Sequence, residues 1–327
     1  MKKLWRNIVL AATVLFLIVA CRAAQAPDTT TASSPAASPA GGGSDFAMVT
    51  INQQALFFNQ MIDGARKAAG DTGVNVTVFN ANNDPAAQNT AIENYIEQKV
   101  NGLVVVAIDV EGIKPAIQKA ADAGIPVVAV DAVVNSPAVK VQVGVDNGKA
   151  GEQIGAFVNE WAQRNNVTGA QIGVIGALNS AIQIQRQDSF TKTVEQAGHR
   201  ILQVVDGQNV QETAQRAAED LFTANPNMTV AYATGEPAMI GAVAAARSQN
   251  VTDRVALFGW DLAQSVIQGI DDGFVAGVVQ QDPYTEGVEA VNALVKLQKG
   301  ETVINPIDVP IVIVTQENVE QFRAQFK

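Results

Sequence analysis

The chain has one cysteine, Cys21, and one histidine, His199, in 327 residues. A lone cysteine closes no intramolecular disulfide, and without clustered His and Cys a transition-metal site has no ligands to draw on. His199 lies in Gln196-Ala197-Gly198-His199-Arg200, between a helix end and a strand start. That setting suits a solvated loop histidine, and a serine–histidine triad would need it elsewhere. No G-x-S-x-G elbow, Walker loop or G-x-G-x-x-G after a first strand occurs. Gly41–Gly43 precede that strand, and Gly173-Val174-Ile175-Gly176 lacks the third glycine. Basic residues are also scarce: 22 Lys and Arg stand against 32 Asp and Glu, for a net charge of −10. Nucleic-acid binding needs basic patches to neutralise phosphate, so it is disfavoured. No cofactor and no metal are expected.

What is present begins with a leader. Lys2, Lys3 and Arg6 precede an apolar run from Ile8 to Ala20, which ends in Leu17-Ile18-Val19-Ala20-Cys21. A basic head, a short apolar segment and a small residue before a cut make a secretory signal. The run is about 13 residues, short of the ~20 that a spanning helix needs. Residues 1–20 read as a lipoprotein signal peptide and Cys21 as the lipidated N-terminus. This places the mature protein outside the cytoplasmic membrane, anchored at Cys21 and periplasmic or cell-surface. Residues 21–44, rich in Ala, Thr, Ser, Pro and Gly, read as a disordered tether with too little apolar surface to order itself.

From Asp45 onward, short apolar runs alternate with amphipathic stretches. Strands are expected at 46–51, 74–79, 103–108, 126–130, 139–145, 171–175, 201–205, 229–232, 255–258, 274–280 and 309–314, with helices between them. Asp84-Pro85 supplies an N-cap with proline at the first helical position. Leu103–Ile108 is apolar on nearly every residue, as in a strand covered on both faces. Such alternation predicts α/β architecture with parallel sheets, divided into two lobes because one sheet of a dozen strands would be unusual. Ligands of such sheets bind beyond the carboxyl ends of the strands. That rule selects Gln53–Phe58, Asp109, Asp131, Ala177–Arg186, Asp206–Gln211, Thr234–Glu236, Asp261 and Gln281. These amides, carboxylates and one arginine suit neutral hydroxyls better than phosphate.

Several motifs carry a resemblance. Phe57-Phe58-x4-Asp63-Gly64, Asn82-Asn83-Asp84-Pro85 and Ala121-Asp122-Ala123-Gly124-Ile125-Pro126-Val127-Val128 come first. Val145-Asp146-Asn147, Arg186-x3-Phe190, Phe258-Gly259-Trp260-Asp261 and Gln281-Asp282-Pro283-Tyr284 follow in order. Together they resemble the ribose-binding-protein family of sugar ABC-transporter solute-binding proteins, over Phe46 to Gln316. The resemblance implies a periplasmic binding protein type I fold: two Rossmann-like lobes with parallel sheets, joined by a three-strand hinge. The first lobe would span 45–145 plus 282–309, and the second 146–281 plus 310–327. It implies a monosaccharide enclosed between the lobes and delivered to an ABC permease by a monomer, with no catalysis. Carried over residue by residue, Phe57 and Phe58 would stack on the sugar ring, and Asp131, Arg186, Asp261 and Gln281 would bond its hydroxyls.

The chain departs from that pattern at Ala55-Leu56, at Ala132 in place of an arginine, at Asn209 in place of an aromatic, and at Gly235-Glu236. Gln53, Gln54, Asn209, Gly235 and Glu236 are therefore additional candidate contacts. The space at Ala132 favours an aldohexose such as glucose, with a pentose next. Two other readings stay open: a receptor for a sugar or autoinducer-2-like signal feeding chemotaxis, and a glycoside-acting enzyme using Asp131 and Asp261. A LacI-type repressor core would need a helix-turn-helix where the leader stands.

Overall fold

The computed structural model describes residues 45–53 and 55–326. The leader, Cys21, the tether and Gln54 lie outside the described residues.

The strands segregate into two six-stranded sheets. The first holds β1 (Asp45–Thr50), β2 (Asn75–Asn80), β3 (Gly102–Val105), β4 (Val127–Val130), β5 (Val139–Gly144) and β11 (Ile307–Asp308), in the order β11-β5-β4-β3-β1-β2. The second holds β6 (Gln171–Gly176), β7 (Arg200–Asp206), β8 (Val230–Ala233), β9 (Ala256–Trp260), β10 (Val275–Gln280) and β12 (Val312–Val314), in the order β12-β10-β9-β8-β6-β7. The two orders match strand for strand. Every pairing is parallel except that of β12, which runs antiparallel to β10.

Burial on both faces explains the strand sequences. In β1, Phe46 and Met48 enter one core, and Ala47 and Val49 enter the core on the opposite face. In β8, Val230 and Tyr232 face one core, and Ala231 and Ala233 the other. Successive side chains of a strand point to opposite faces, so a sheet covered on both sides needs apolar residues at every position.

Nine helices supply the covers among the described residues: α1 (Leu56–Thr72), α2 (Pro85–Glu97), α3 (Lys114–Asp122), α4 (Asn147–Arg164), α5 (Ala181–Gln196), α6 (Gln211–Ala224), α7 (Glu236–Ser248), α8 (Gln264–Asp271) and α9 (Pro283–Gln298). Asp84 caps α2 as the sequence predicts, accepting from Ala86 N at 2.8 Å and Ala87 N at 3.2 Å. Helices α1 and α9 cross closely enough that a Cβ on Gly287 would lie 1.9 Å from Met61 O, and one on Gly64 1.9 Å from Tyr284 O.

The chain passes between the sheets three times, after β5, after β10 and after β11. The first two crossings run straight into helices capped by aspartates: Asp146 accepts from Lys149 N at 2.9 Å, and Asp282 from Thr285 N at 3.0 Å. The strand expected at 309–314 is divided. Residues 307–308 pair with β5 and 312–314 with β10, while 309–311 span the gap. Pro310, which has no N–H to give a ladder, sits in that span.

Candidate functional site

Asp131 and Asp261 each follow the fourth strand of their sheet, at its carboxyl end. Both adopt left-handed backbone, φ 63° and 60°, a conformation that aspartate tolerates better than most residues. The pattern that nominated them, a carboxylate just past an all-apolar strand, is a consequence of this topology.

Arg186 lies on α5 and is buried. Its guanidinium lies 3.5 Å from the centroid of the Trp260 ring. Trp260 Nε1 donates to Tyr232 Oη at 2.7 Å, and Tyr232 stacks on Phe190 with ring centroids 3.8 Å apart. Phe190 stands one helical turn after Arg186, so the helix places both the cation and part of its apolar support. Arg186 Nε donates to Asn147 Oδ1 at 2.8 Å, Nη1 to Thr234 O at 3.2 Å and Nη2 to Gln281 Oε1 at 3.3 Å. Gln281 then donates through Nε2 to both oxygens of Asp261, at 2.9 and 3.1 Å. A second chain of bonds runs from Thr234 Oγ1 to Gln183 Oε1 at 2.7 Å, and from Gln183 Nε2 to Asn209 Oδ1 at 2.7 Å.

The electrostatics follow from burial. Desolvation pushes the Asp131 carboxyl up to about 6; Arg186 opposes the shift and Asp261 adds to it. Asp261 is raised by burial against the pull of Arg186 and the Gln281 bonds. Glu236, at the start of α7, keeps contact with solvent, yet the surrounding protein pushes it up to about 7, with Asp261 contributing. Burial lowers Arg186, while Asp261 and Asp131 hold it charged.

The remaining nominated residues take the following places. Asp109 accepts from Glu111 N and Gly112 N, and Asp206 from Leu178 N and Gln208 N, so both cap loops. Gln53 is exposed and its carbonyl accepts from Asn59 Nδ2. Phe57 and Phe58 meet edge to face, centroids 5.3 Å apart, half-buried against the first-lobe core. Gly235 is buried beneath Gln183, whose carboxamide would lie 2.9 Å from a Cβ there. Ala132 borders a cavity of about 440 Å³ between the lobes, lined on one side by residues 107–110, 132 and 133 and on the other by 179–182, 185 and 209. His199 accepts at Nδ1 from Ala170 N in its loop. No group of His, Cys, Asp and Glu able to hold a metal ion occurs among the described residues.

Glu286 escaped the sequence reading. It lies in the first turn of α9, fully buried, with neither carboxyl oxygen hydrogen-bonded among the described residues. Burial, with Asp131, Asp261 and Asp282 adding, holds it well above the ordinary glutamate range. Helical spacing could have found it, because Pro283, Ala290 and Leu294 share its buried face.

Two matching doubly wound lobes, with polar residues gathered at facing strand ends, define a hinged solute-binding protein. The model of the periplasmic binding protein domain matches residues 46–302, and the chain belongs to that family of binding proteins rather than enzymes. It is 27% identical to the ribose import binding protein of Bacillus subtilis over 264 residues, 80% of this chain and 84% of that one. It is 26% identical to the D-ribose/D-allose-binding protein of Pseudomonas aeruginosa, over 71% of this chain and 75% of that one. Its fold matches a sugar ABC transporter sugar-binding protein from Bacillus halodurans with a TM-score of 0.79 and 23% identity, covering 86% of this chain and all of the other.

Proposed function

We propose that this protein captures a monosaccharide between its lobes outside the cytoplasmic membrane and hands it to an ABC permease. The observation that carries the reading is the linked set Asn147–Arg186–Gln281–Asp261, with Asp131 alongside, in the cleft of a periplasmic binding protein. Carboxylates accept from ring hydroxyls, and charge-assisted bonds contribute about 1.5–3 kcal/mol each. The division of strands between the sheets supports lobes at 45–145 plus 282–309 and at 146–281 plus 310–327. Relatives named for ribose and allose support a monosaccharide. Within that class, the room beside Ala132 favours an aldohexose, with a pentose next. Phe57 and Phe58 are assigned to the sugar ring, and Gln53, Gln54, Asn209, Gly235 and Glu236 to secondary contacts. The protein acts as a monomer, tethered by lipid at Cys21.

A thermal-shift panel of aldohexoses, pentoses, ketoses and inositols, with their amino-deoxy derivatives, tests this. A ligand of the native state stabilises by RT ln(1 + [L]/Kd), about 2.7 kcal/mol at a hundredfold excess over Kd. A large shift with one monosaccharide is expected. No shift with any member would overturn the reading.

A further inference from the structure

The cleft carries more acid than base. Asp131, Glu236, Asp261 and Glu286 form one electrostatic group, and Arg186 is the one cation among the described residues whose charge bears on it. That guanidinium pairs with none of the four. Its Nε, Nη1 and Nη2 bond the neutral oxygens of Asn147, Thr234 and Gln281, and Trp260 covers its face. Asp261 accepts from the carboxamide and the backbone N–H of Gln281, both neutral donors. Among the described residues, Asp131 and Glu236 engage no cation within salt-bridge distance. Glu286 is fully buried, both oxygens have no hydrogen-bond partner among the described residues, and it lies close enough to Asp131 and Asp261 to feel their charges. Ala132, beside Asp131, adds no charge.

A hydroxyl donates one hydrogen bond and leaves the repulsion among these acids standing. An ammonium donates three and cancels a full charge. Buried carboxyls are stable in their ionised form only when paired. We propose that the solute of this cleft is a monosaccharide bearing a protonated amino group, with the ammonium facing Asp131, Asp261 and Glu286 and Glu236 at the lip. The inference rests on the monosaccharide reading above and narrows its solute class. The elevated proton affinities of the four acids agree with it, because mutual repulsion contributes to each elevation except that of Asp261, where burial acts alone against Arg186 and Gln281.

Titration calorimetry of the purified protein at pH 7 decides the matter. The probes are D-glucose, D-galactose, D-ribose and myo-inositol, their mono-amino-deoxy derivatives at each ring or chain position, and the N-acetylated amines. One amine should bind at least tenfold tighter than its neutral parent, and N-acetylation should abolish that advantage. Glu286→Gln should reduce the preference at least fivefold while changing the parent's affinity less than twofold; Asp131→Asn, which also weakens the parent, should reduce the ratio of amine to parent affinity at least fivefold. A neutral parent that binds as tightly as all its amines overturns the proposal and leaves the monosaccharide reading intact. A preference unchanged in both variants overturns the assignment of the ammonium's seat. Absence of binding by every sugar, amino or neutral, overturns both readings together.

Discussion

Asp131 and Asp261 occupy equivalent places in the two lobes. Each sits one residue past the fourth strand of its sheet with φ near +60°, and each donates its backbone N–H to the neighbouring strand, Asp131 to Val143 O at 2.9 Å and Asp261 to Val279 O at 2.7 Å. The left-handed turn lifts the side chain off the strand end and presents it beyond the sheet. Asparagine tolerates that backbone as aspartate does, so Asp261→Asn should retain the fold and weaken solute binding at least tenfold. Asp261→Ala should add a stability loss of about 1 kcal/mol from backbone strain. Calorimetric titration and denaturant midpoints separate the two effects.

Arg186 holds three acceptors in a fixed fork over Trp260. Lysine keeps the charge but not the planar fork. Arg186→Lys should therefore weaken binding at least tenfold and lower stability by about 2 kcal/mol, since buried acceptors lose their donors. Chemical denaturation and titration of the same variant measure both.

Glu286 and Asp131 make stability depend on pH in a definite direction. Both carboxyls hold their protons more tightly in the folded chain than in the unfolded one. Asp131 therefore favours the fold fully below about pH 4, and that contribution is lost as pH rises through about 6. The loss is at most about 3 kcal/mol at ~1.4 kcal/mol per unit, and less where solvent reaches the group. Without solute, the melting temperature should fall between pH 4 and pH 7. Glu286→Met removes an unpartnered buried carboxyl and should stabilise the protein by about 1–3 kcal/mol, more at pH 8 than at pH 5. Melting curves of both proteins across that range check the sign.

The crossing of α1 and α9 admits no extra atom. Gly287→Ala would set a Cβ 1.9 Å from Met61 O, and should cost about 3 kcal/mol or more. Gly70, on the exposed side of α1 with nothing within 4 Å of its would-be Cβ, is the control. Gly70→Ala should stabilise by about 0.5–1 kcal/mol. Denaturation midpoints of the pair should move in opposite directions.

Much of this was legible in the sequence, because parallel strands buried on both faces are written as nearly continuous apolar runs such as Val127–Val130. Strand ends then nominated Asp131, Asp261, Arg186 and Gln281. Less legible were the partners. Asn147 and Gln183 reach Arg186 and Thr234 across long sequence gaps that no local pattern encodes. Asp109 and Asp206 satisfy the same strand-end rule and accept from loop backbone N–H groups, since a carboxylate after a strand serves either purpose. Periodicity alone runs 309–314 together as one strand, because Val309, Ile311, Val312 and Ile313 are apolar; the resemblance puts the lobe boundary at 309/310, inside the observed crossing at 309–311.

The most direct test is a crystal structure of the protein with the monosaccharide that raises its melting temperature most. The account expects one ring between the lobes, with Asp131 and Asp261 both within hydrogen-bond distance of its polar groups and Arg186 facing the same ring. A ring held by one lobe alone, or bound away from these residues, would contradict it.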